Sequence, residues 1–306
     1  MKLIVSGSMA YDRIMTFPEN FADHILPDKI HVLNVCFQVD GVTEHFGGTA
    51  GNIAYALQLM QSTPTITATI GHDHRRYFKW LEKNNIPADG VVIVEEEFTA
   101  GAYITTDKGD NQITGFNPGA MKYSSNLDFD GLDPENTILI ASPGNLDDMI
   151  NYPRICKEKG IRYIVDPGQA LPVLDAADLI EVITGCFLLI VNDYEFDMIL
   201  NKTGLSREEL LALGDSTIIT LGEHGSSLFT NGTETKIAVA KADNVVDPTG
   251  CGDAYRGALL SGLAAGKDLV ESAKMGSVCA SFAVERQGTQ VYSFTQEEFK
   301  KRQDSY

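Results

Sequence analysis

The chain has 306 residues, enough for one large domain or two small ones at roughly 100–200 residues per domain. The apolar class makes up 43% of it and charged residues 22%, so there is ample material for a hydrophobic core. Asp and Glu number 42 against 24 Lys and Arg, a formal net charge of -18. That balance excludes a general nucleic-acid binder with a basic, phosphate-tracking face, and it excludes a basic amphipathic membrane anchor.

In chain order, the apolar run at 2–6 reads as a first strand rather than a signal peptide, because Asp12 follows it without a cleavage-site pattern. Residues 32–46 look irregular, with short strands and turns. A helix is expected over 51–61, where Ile53, Ala56, Leu57 and Met60 share one face. A strand at 66–70 and a helix at 74–84 follow. The segment 98–116 again suggests short strands, with a hairpin tip at Asp107, Gly109 and Asn111. Beyond it, strands at 137–141, 161–165, 187–191 and 217–221 alternate with helices at 146–159, 176–184 and 206–213. Two further helices, 252–264 and 268–284, close the pattern.

The strand runs are short and rich in Ile, Val and Leu, as in strands buried on both faces of a parallel sheet. The pattern predicts a layered α/β fold with a mainly parallel sheet. No run approaches the ~18 apolar residues of a membrane span. Five scattered cysteines, odd in number and never in CxxC spacing, argue against a disulfide framework or zinc cluster. They fit a reducing cytoplasm.

Four segments carry chemistry. In DPTGCGDAYRG at 247–257, two glycines precede a helix whose first N–H groups have no intrahelical acceptor. Such a helix entry suits a phosphate or developing negative charge. Asp253, in the first turn, could take a proton from an attacking hydroxyl. A glycine-rich loop with Asp253 as a helix-stabilising acid explains the same residues. In GGTAGN at 47–52, paired glycines allow close ligand approach and Asn52 offers a donor and an acceptor, but Thr49 as a plain helix cap serves as well. TLGEHG at 220–225 reads either as a nucleotide loop or as a turn into 226–230. Asn192 and Glu195, at i and i+3, could hold phosphate and hydrated Mg²⁺, or form a capping box. The P-loop, the dinucleotide fingerprint and the nucleophile elbow are absent. His72, Asp73 and His74 sit beside Arg75 and Arg76 and read as solvated rather than metal-binding.

Taken in order, these segments resemble the ribokinase-like, or PfkB, family of carbohydrate and nucleoside kinases, over nearly the whole chain. FGGTAGNIAYAL at 46–57 and GFNPGAM at 115–121 are similar to bacterial adenosine kinases, and VERQGTQ at 284–290 fits that branch and others. Pro248 and Cys251 depart from the commonest family pattern without touching the expected donors. The resemblance implies one three-layer αβα domain over 1–306, with a small β lid from about 32–46 and 98–116. It implies Asp253 as general base and the amides of Gly250, Cys251 and Gly252 as an anion hole. Asp12, Gly47, Gly48 and Asn52 would meet the sugar, with Phe37, Tyr103 and Phe116 as lid aromatics that stack on a base or merely pack the hairpins. Asn192, Thr220, Gly222, Gly225, Gly252 and Ser277 would line ATP. Glu195 would act on Mg²⁺ through water, and Asp247 and Thr249 are candidate K⁺-site residues.

The expected reaction is ATP-dependent phosphorylation of a nucleoside 5′-hydroxyl, with adenosine the first choice of acceptor. Another nucleoside or a sugar is the alternative within the family. A non-catalytic nucleotide or sugar sensor is the alternative outside it, disfavoured by the intact Asp253 and glycines. The partner is a small molecule, without nucleic acid or membrane. Val35, Phe37 and Val39 give the expected lid an apolar side that could face substrate or a second copy, so monomer and homodimer are both open.

Overall fold

The computed structural model describes residues 1–32 and 34–306; Leu33, inside the expected 32–46 segment, lies outside the described residues. The first half of the chain runs β1 (Lys2–Ser6), β2 (Ala10–Thr16), β3 (Val42–Gly47), α1 (Thr49–Leu59), β4 (Pro64–Gly71), α2 (Arg75–Lys83) and β5 (Val91–Val94). Next come β6 (Ala100–Thr106), β7 (Gln112–Asn117), β8 (Thr137–Ala141), α3 (Leu146–Lys159), β9 (Arg162–Val165) and α4 (Ala176–Ile183). The remainder is β10 (Leu188–Asn192), α5 (Asp193–Thr203), α6 (Arg207–Leu211), β11 (Ser216–Thr220), β12 (Ser226–Thr230), β13 (Thr233–Ile237), α7 (Cys251–Ala264), α8 (Leu269–Ala283) and α9 (Gln296–Asp304).

A nine-stranded sheet orders its strands β13-β12-β11-β10-β9-β8-β1-β4-β5. The run from β11 to β5 is parallel, and β12 and β13 add an antiparallel edge. Register sorts the side chains into two cores. Val5 lies level with Ile66 and Ile140, and Ile140 with Ile164, on the face covered by α1, α7 and α8. Ile4, Leu139 and Tyr163 point the other way, toward α3, α4 and α5. Because both faces are covered, neighbours along one strand are all apolar, and each buried aliphatic side chain contributes about 1.5–3 kcal/mol. This is the three-layer αβα architecture.

A second sheet, ordered β3-β2-β6-β7, is separate from the first. Its hairpin tip is at the expected Asp107–Asn111, where Asp107 accepts from the Gly109 and Asn111 amides. Its other half departs from expectation. Among the described residues of the 32–46 segment only 42–46 is strand, within β3, and Val35, Phe37 and Val39 form no sheet face. Their alternation has another cause. Phe37 turns into a cluster with Phe17 and Phe21, ring centroids 4.8 and 5.0 Å away, while the residues between face solvent. The missing strand is β2, whose mixed polarity hides it in the sequence. The helices α5 and α9 also went unread, since each buries few apolar side chains. Their capping boxes, Asn192–Glu195 and Thr295–Glu298, were the available signal.

Candidate active site

Two helix N-termini meet beyond the carboxyl ends of the parallel strands, where open α/β sheets place ligands. The first is α1, entered from β3 through Gly48 at φ +88°. A Cβ at Gly48 would sit 2.5 Å from the Ser8 carbonyl oxygen, so only glycine lets this turn lie on the β1–β2 connection. Thr49 is not the cap. It is the first helical residue, and its hydroxyl donates to the Pro143 carbonyl at 2.7 Å. The second is α7, whose cap, Gly250, is left-handed at φ +77°. The two helices pack together, and the Asn52 Nδ2 group donates to Asp253 Oδ2 at 2.8 Å.

Asp253 is half-buried, and burial is the main reason its carboxyl is pushed up to about 6. Arg256 and the Asn52 hydrogen bond pull it down, while Asp166 and Glu195 push it further up. One turn along α7, the buried Arg256 Nη2 donates to Asp166 Oδ1 at 2.6 Å, and Asp166 is 1% exposed. The Arg256 Nε is buried without a partner among the described residues. A Cβ at Gly252 would lie 2.5 Å from the Arg256 Nη1, so the glycine keeps room for this guanidinium beside the cleft.

Of the three expected anion-hole amides one is engaged, and those of Gly250 and Gly252 have no acceptor among the described residues. The Cys251 N–H donates to the Pro248 carbonyl at 3.1 Å. The Gly252 and Asp253 N–H groups have no acceptor among the described residues. Asp247 holds the loop: its carboxylate accepts from the Thr249 and Gly288 amides. Burial raises its pKa, but these hydrogen bonds together outweigh burial and hold it below the usual carboxylate range.

On the second sheet, Asp12 lies level with His45 and Ala102, and Ala102 with Phe116. These four share one face, where His45 lies beside Gly288, while the other face packs Tyr11 and Phe46 against Tyr77 and Trp80 of α2. Burial raises Asp12 above its ordinary pKa, partly offset by His45. A Cβ at Gly47 would run into the Asp12 carboxylate. Tyr103 is on the opposite face, level with Arg13 and Gly115, and its hydroxyl accepts from Arg13 Nη1 at 3.0 Å. Tyr103 and Phe116 therefore lie on opposite faces of this sheet, and Phe37 is engaged with Phe17 and Phe21.

Asn192 and Glu195 form a reciprocal capping box at the start of α5, at 2.7 and 2.8 Å. Thr220 ends β11, and Gly222 and Gly225 bracket the turn into β12. Ser277 is buried on α8, where its hydroxyl accepts from the Ala240 amide at 2.8 Å. Asp73 of the histidine segment accepts from the Thr99 amide at 2.8 Å. Sequence reasoning missed Arg256 and Asp166 as a pair, since 90 residues separate them. It also missed Gln290, whose only sequence signal was its place in the VERQGTQ stretch.

The model of the pfkB family carbohydrate kinases matches residues 9–296. The chain belongs to this family. Among relatives of this pfkB kinase, the nucleoside kinase of Methanocaldococcus jannaschii is 32% identical over 266 residues, covering 86% of this chain and 87% of its own. The solved ligand-free nucleoside kinase of Burkholderia thailandensis is 37% identical, with a TM-score of 0.88 and coverage of 98% and 99%. The same enzyme in complex with ADP-inosine is 36% identical, with a TM-score of 0.83 and coverage of 99% and 95%.

Family membership makes the protein a kinase with ATP as cosubstrate. Among the described residues no three His, Cys, Asp or Glu side chains cluster as a metal cage, and no helix is long and apolar enough to cross a membrane. Glu195 fits a Mg²⁺ that keeps its waters: one oxygen caps α5 and the other has no hydrogen-bond donor among the described residues. Asp247 and Thr249 fit K⁺ less well. Both Asp247 oxygens already accept N–H groups, and Thr249 faces solvent.

Proposed function

We propose that this pfkB kinase transfers the γ-phosphoryl group of ATP to the 5′-hydroxyl of a nucleoside, releasing ADP and a nucleoside monophosphate. The observation that carries the reading is the Asp253 carboxylate at the α7 N-terminus, with Oδ2 held by Asn52 and Oδ1 free of any partner among the described residues. Asp253 takes the hydroxyl proton as the oxygen bonds to phosphorus and the bond to ADP breaks. The Gly252 and Asp253 amides, with the Gly250 turn, face the charge that gathers on the phosphoryl oxygens. When bound, Mg²⁺ would supply charge neutralisation at the phosphates, held through water by Glu195. Asn192, Thr220, Gly222 and Gly225 line the nucleotide side, with Ser277 bordering it. Asp12, Gly48 and Asn52 hold the sugar.

Adenosine is one acceptor in this reading, and the inosine complex of the B. thailandensis relative supports a broader range. The test is ADP release with Mg-ATP, with and without K⁺, against adenosine, inosine, guanosine, cytidine, ribose and fructose. Turnover on adenosine and inosine with none on free ribose is expected. Ribose or fructose as the best acceptor would overturn the nucleoside reading.

Phe116 is the aromatic on the Asp12 face and is offered to the base. Phe116→Ala is expected to raise the nucleoside KM about 5- to 150-fold, the loss of about 1–3 kcal/mol of stacking. Tyr103→Ala, on the far face, should leave KM within about two-fold, since it removes no such stacking. Steady-state kinetics at saturating ATP distinguishes them; equal effects would assign the base to neither face.

A further inference from the structure

A single line of hydrogen bonds runs from the half-buried indole of Trp80 to Asp253. The Trp80 Nε1 donates to Gln290 Oε1 at 2.9 Å. Gln290 Nε2 donates to Tyr77 Oη at 2.8 Å and to Asn52 Oδ1 at 2.9 Å. Tyr77 passes its own proton to the Gly47 carbonyl at 2.8 Å, and Asn52 Nδ2 donates to Asp253 Oδ2 at 2.8 Å.

The direction of this line is forced. An indole N–H can only donate, so Gln290 must turn its carbonyl to Trp80 and its NH₂ inward. Asn52 must then present its carbonyl to Gln290 and its NH₂ to Asp253. An NH₂ cannot accept, so a proton on Oδ2 of Asp253 could not be donated to Asn52 and would weaken the bond that Oδ2 accepts. A proton is therefore favoured on Oδ1. Gln290 is 1% exposed and is held left-handed at φ +47°, an unfavourable backbone for a non-glycine residue. Thr289 beside it is tied to the Phe46 carbonyl at 2.6 Å.

We infer that Gln290 and Trp80 are positioning residues for the phosphoryl-transfer base: they lock the Asn52 amide so that Asp253 stays ionised on Oδ2 and receives the substrate proton on Oδ1. This rests on Asp253 being the base. The other charged or titratable groups around Asp253 are Arg256 and Cys251 on α7, Asp166 after β9, Glu195 on α5, Tyr77 on α2 and Tyr292 after α8. Trp80→Phe touches none of them directly, and Gln290→Met removes only the hydrogen bond that Tyr77 accepts.

The test is a carboxyl-carbon NMR titration of Asp253 in the substrate-free enzyme, for the wild type, Trp80→Phe and Gln290→Met. Phe offers a ring to Phe46, 5.0 Å from the indole in the wild type, and removes the N–H together with part of the indole ring system. With the lock released, the Asn52 amide can turn, and the Asp253 midpoint is expected to rise by about half a unit or more in both variants. The acid limb of kcat/KM should move with it. An unchanged midpoint in variants that melt cooperatively overturns the inference, since a purely structural role would lower stability and leave the titration alone. Asp253→Asn is measured alongside. Near-normal turnover there would overturn Asp253 as the base, whatever the titration shows of the lock.

Discussion

Asp253→Asn is expected to lower kcat by about 10²–10⁴-fold, the span of general base catalysis, with little change in the KM for ATP. Asn keeps the size of the side chain and can still accept from Asn52 through its own carbonyl, so the cleft should stay intact. What it lacks is a basic oxygen facing the substrate hydroxyl. In the wild type the rate should rise with pH through about 6, where Asp253 loses its proton. That limb should be missing from the residual activity of the variant. The same shift has a cost in stability. A carboxyl that holds its proton more tightly folded than unfolded stabilises the fold below the ordinary carboxylate value, about 4. That contribution is lost as pH rises through about 6. The variant should therefore melt no lower than the wild type at pH 8. Normal turnover in a folded Asp253→Asn would remove it from the mechanism.

Arg256→Met should be the most destabilising single change near the cleft, lowering the unfolding free energy by about 3–5 kcal/mol. The cause is Asp166, 1% exposed and joined to Arg256 at 2.6 Å. Without the guanidinium it is a buried carboxylate with no counter-charge. Combining Arg256→Met with Asp166→Leu removes both charges and is expected to recover most of the loss. Urea unfolding of the two singles and the double gives the coupling. A second effect separates this pair from an ordinary structural one. Arg256 is the strongest group lowering the Asp253 pKa, so its removal should move the acid limb of the rate above 6. If the double variant is as unstable as Arg256→Met, the cost lies in packing rather than in a stranded charge.

Most of the main sheet was legible from composition alone. The runs at 2–6 and 137–141 coincide with β1 and β8, and the others fall within two residues of their strands. Strands covered on both faces must be apolar at every position, and that leaves an unmistakable mark. The second sheet was only half legible. β2 carries Tyr11, Asp12 and Arg13 in succession, because one of its faces packs on the main domain and the other borders the cleft. The alternation at Val35, Phe37 and Val39 misled in the opposite sense. Period two marks an extended chain with one sheltered side, and pairing with another strand is a separate matter.

The sequence by itself determined the αβα class, the glycine turns before α1 and α7 and the family of kinases. These depend on local rules: which residues suit a buried strand, and which tolerate a left-handed turn. Asn192 and Glu195 show where local rules stop. They form the capping box that spacing allows, and the spacing is silent on what else Glu195 faces. Only the tertiary structure decided which groups stand around Asp253. Asn52, Asp166, Arg256 and Gln290 come from four distant stretches, and Phe116 and Tyr103 are parted by register alone. Hydrogen-bond direction and burial depend on three-dimensional neighbours, and no pattern along the chain records them.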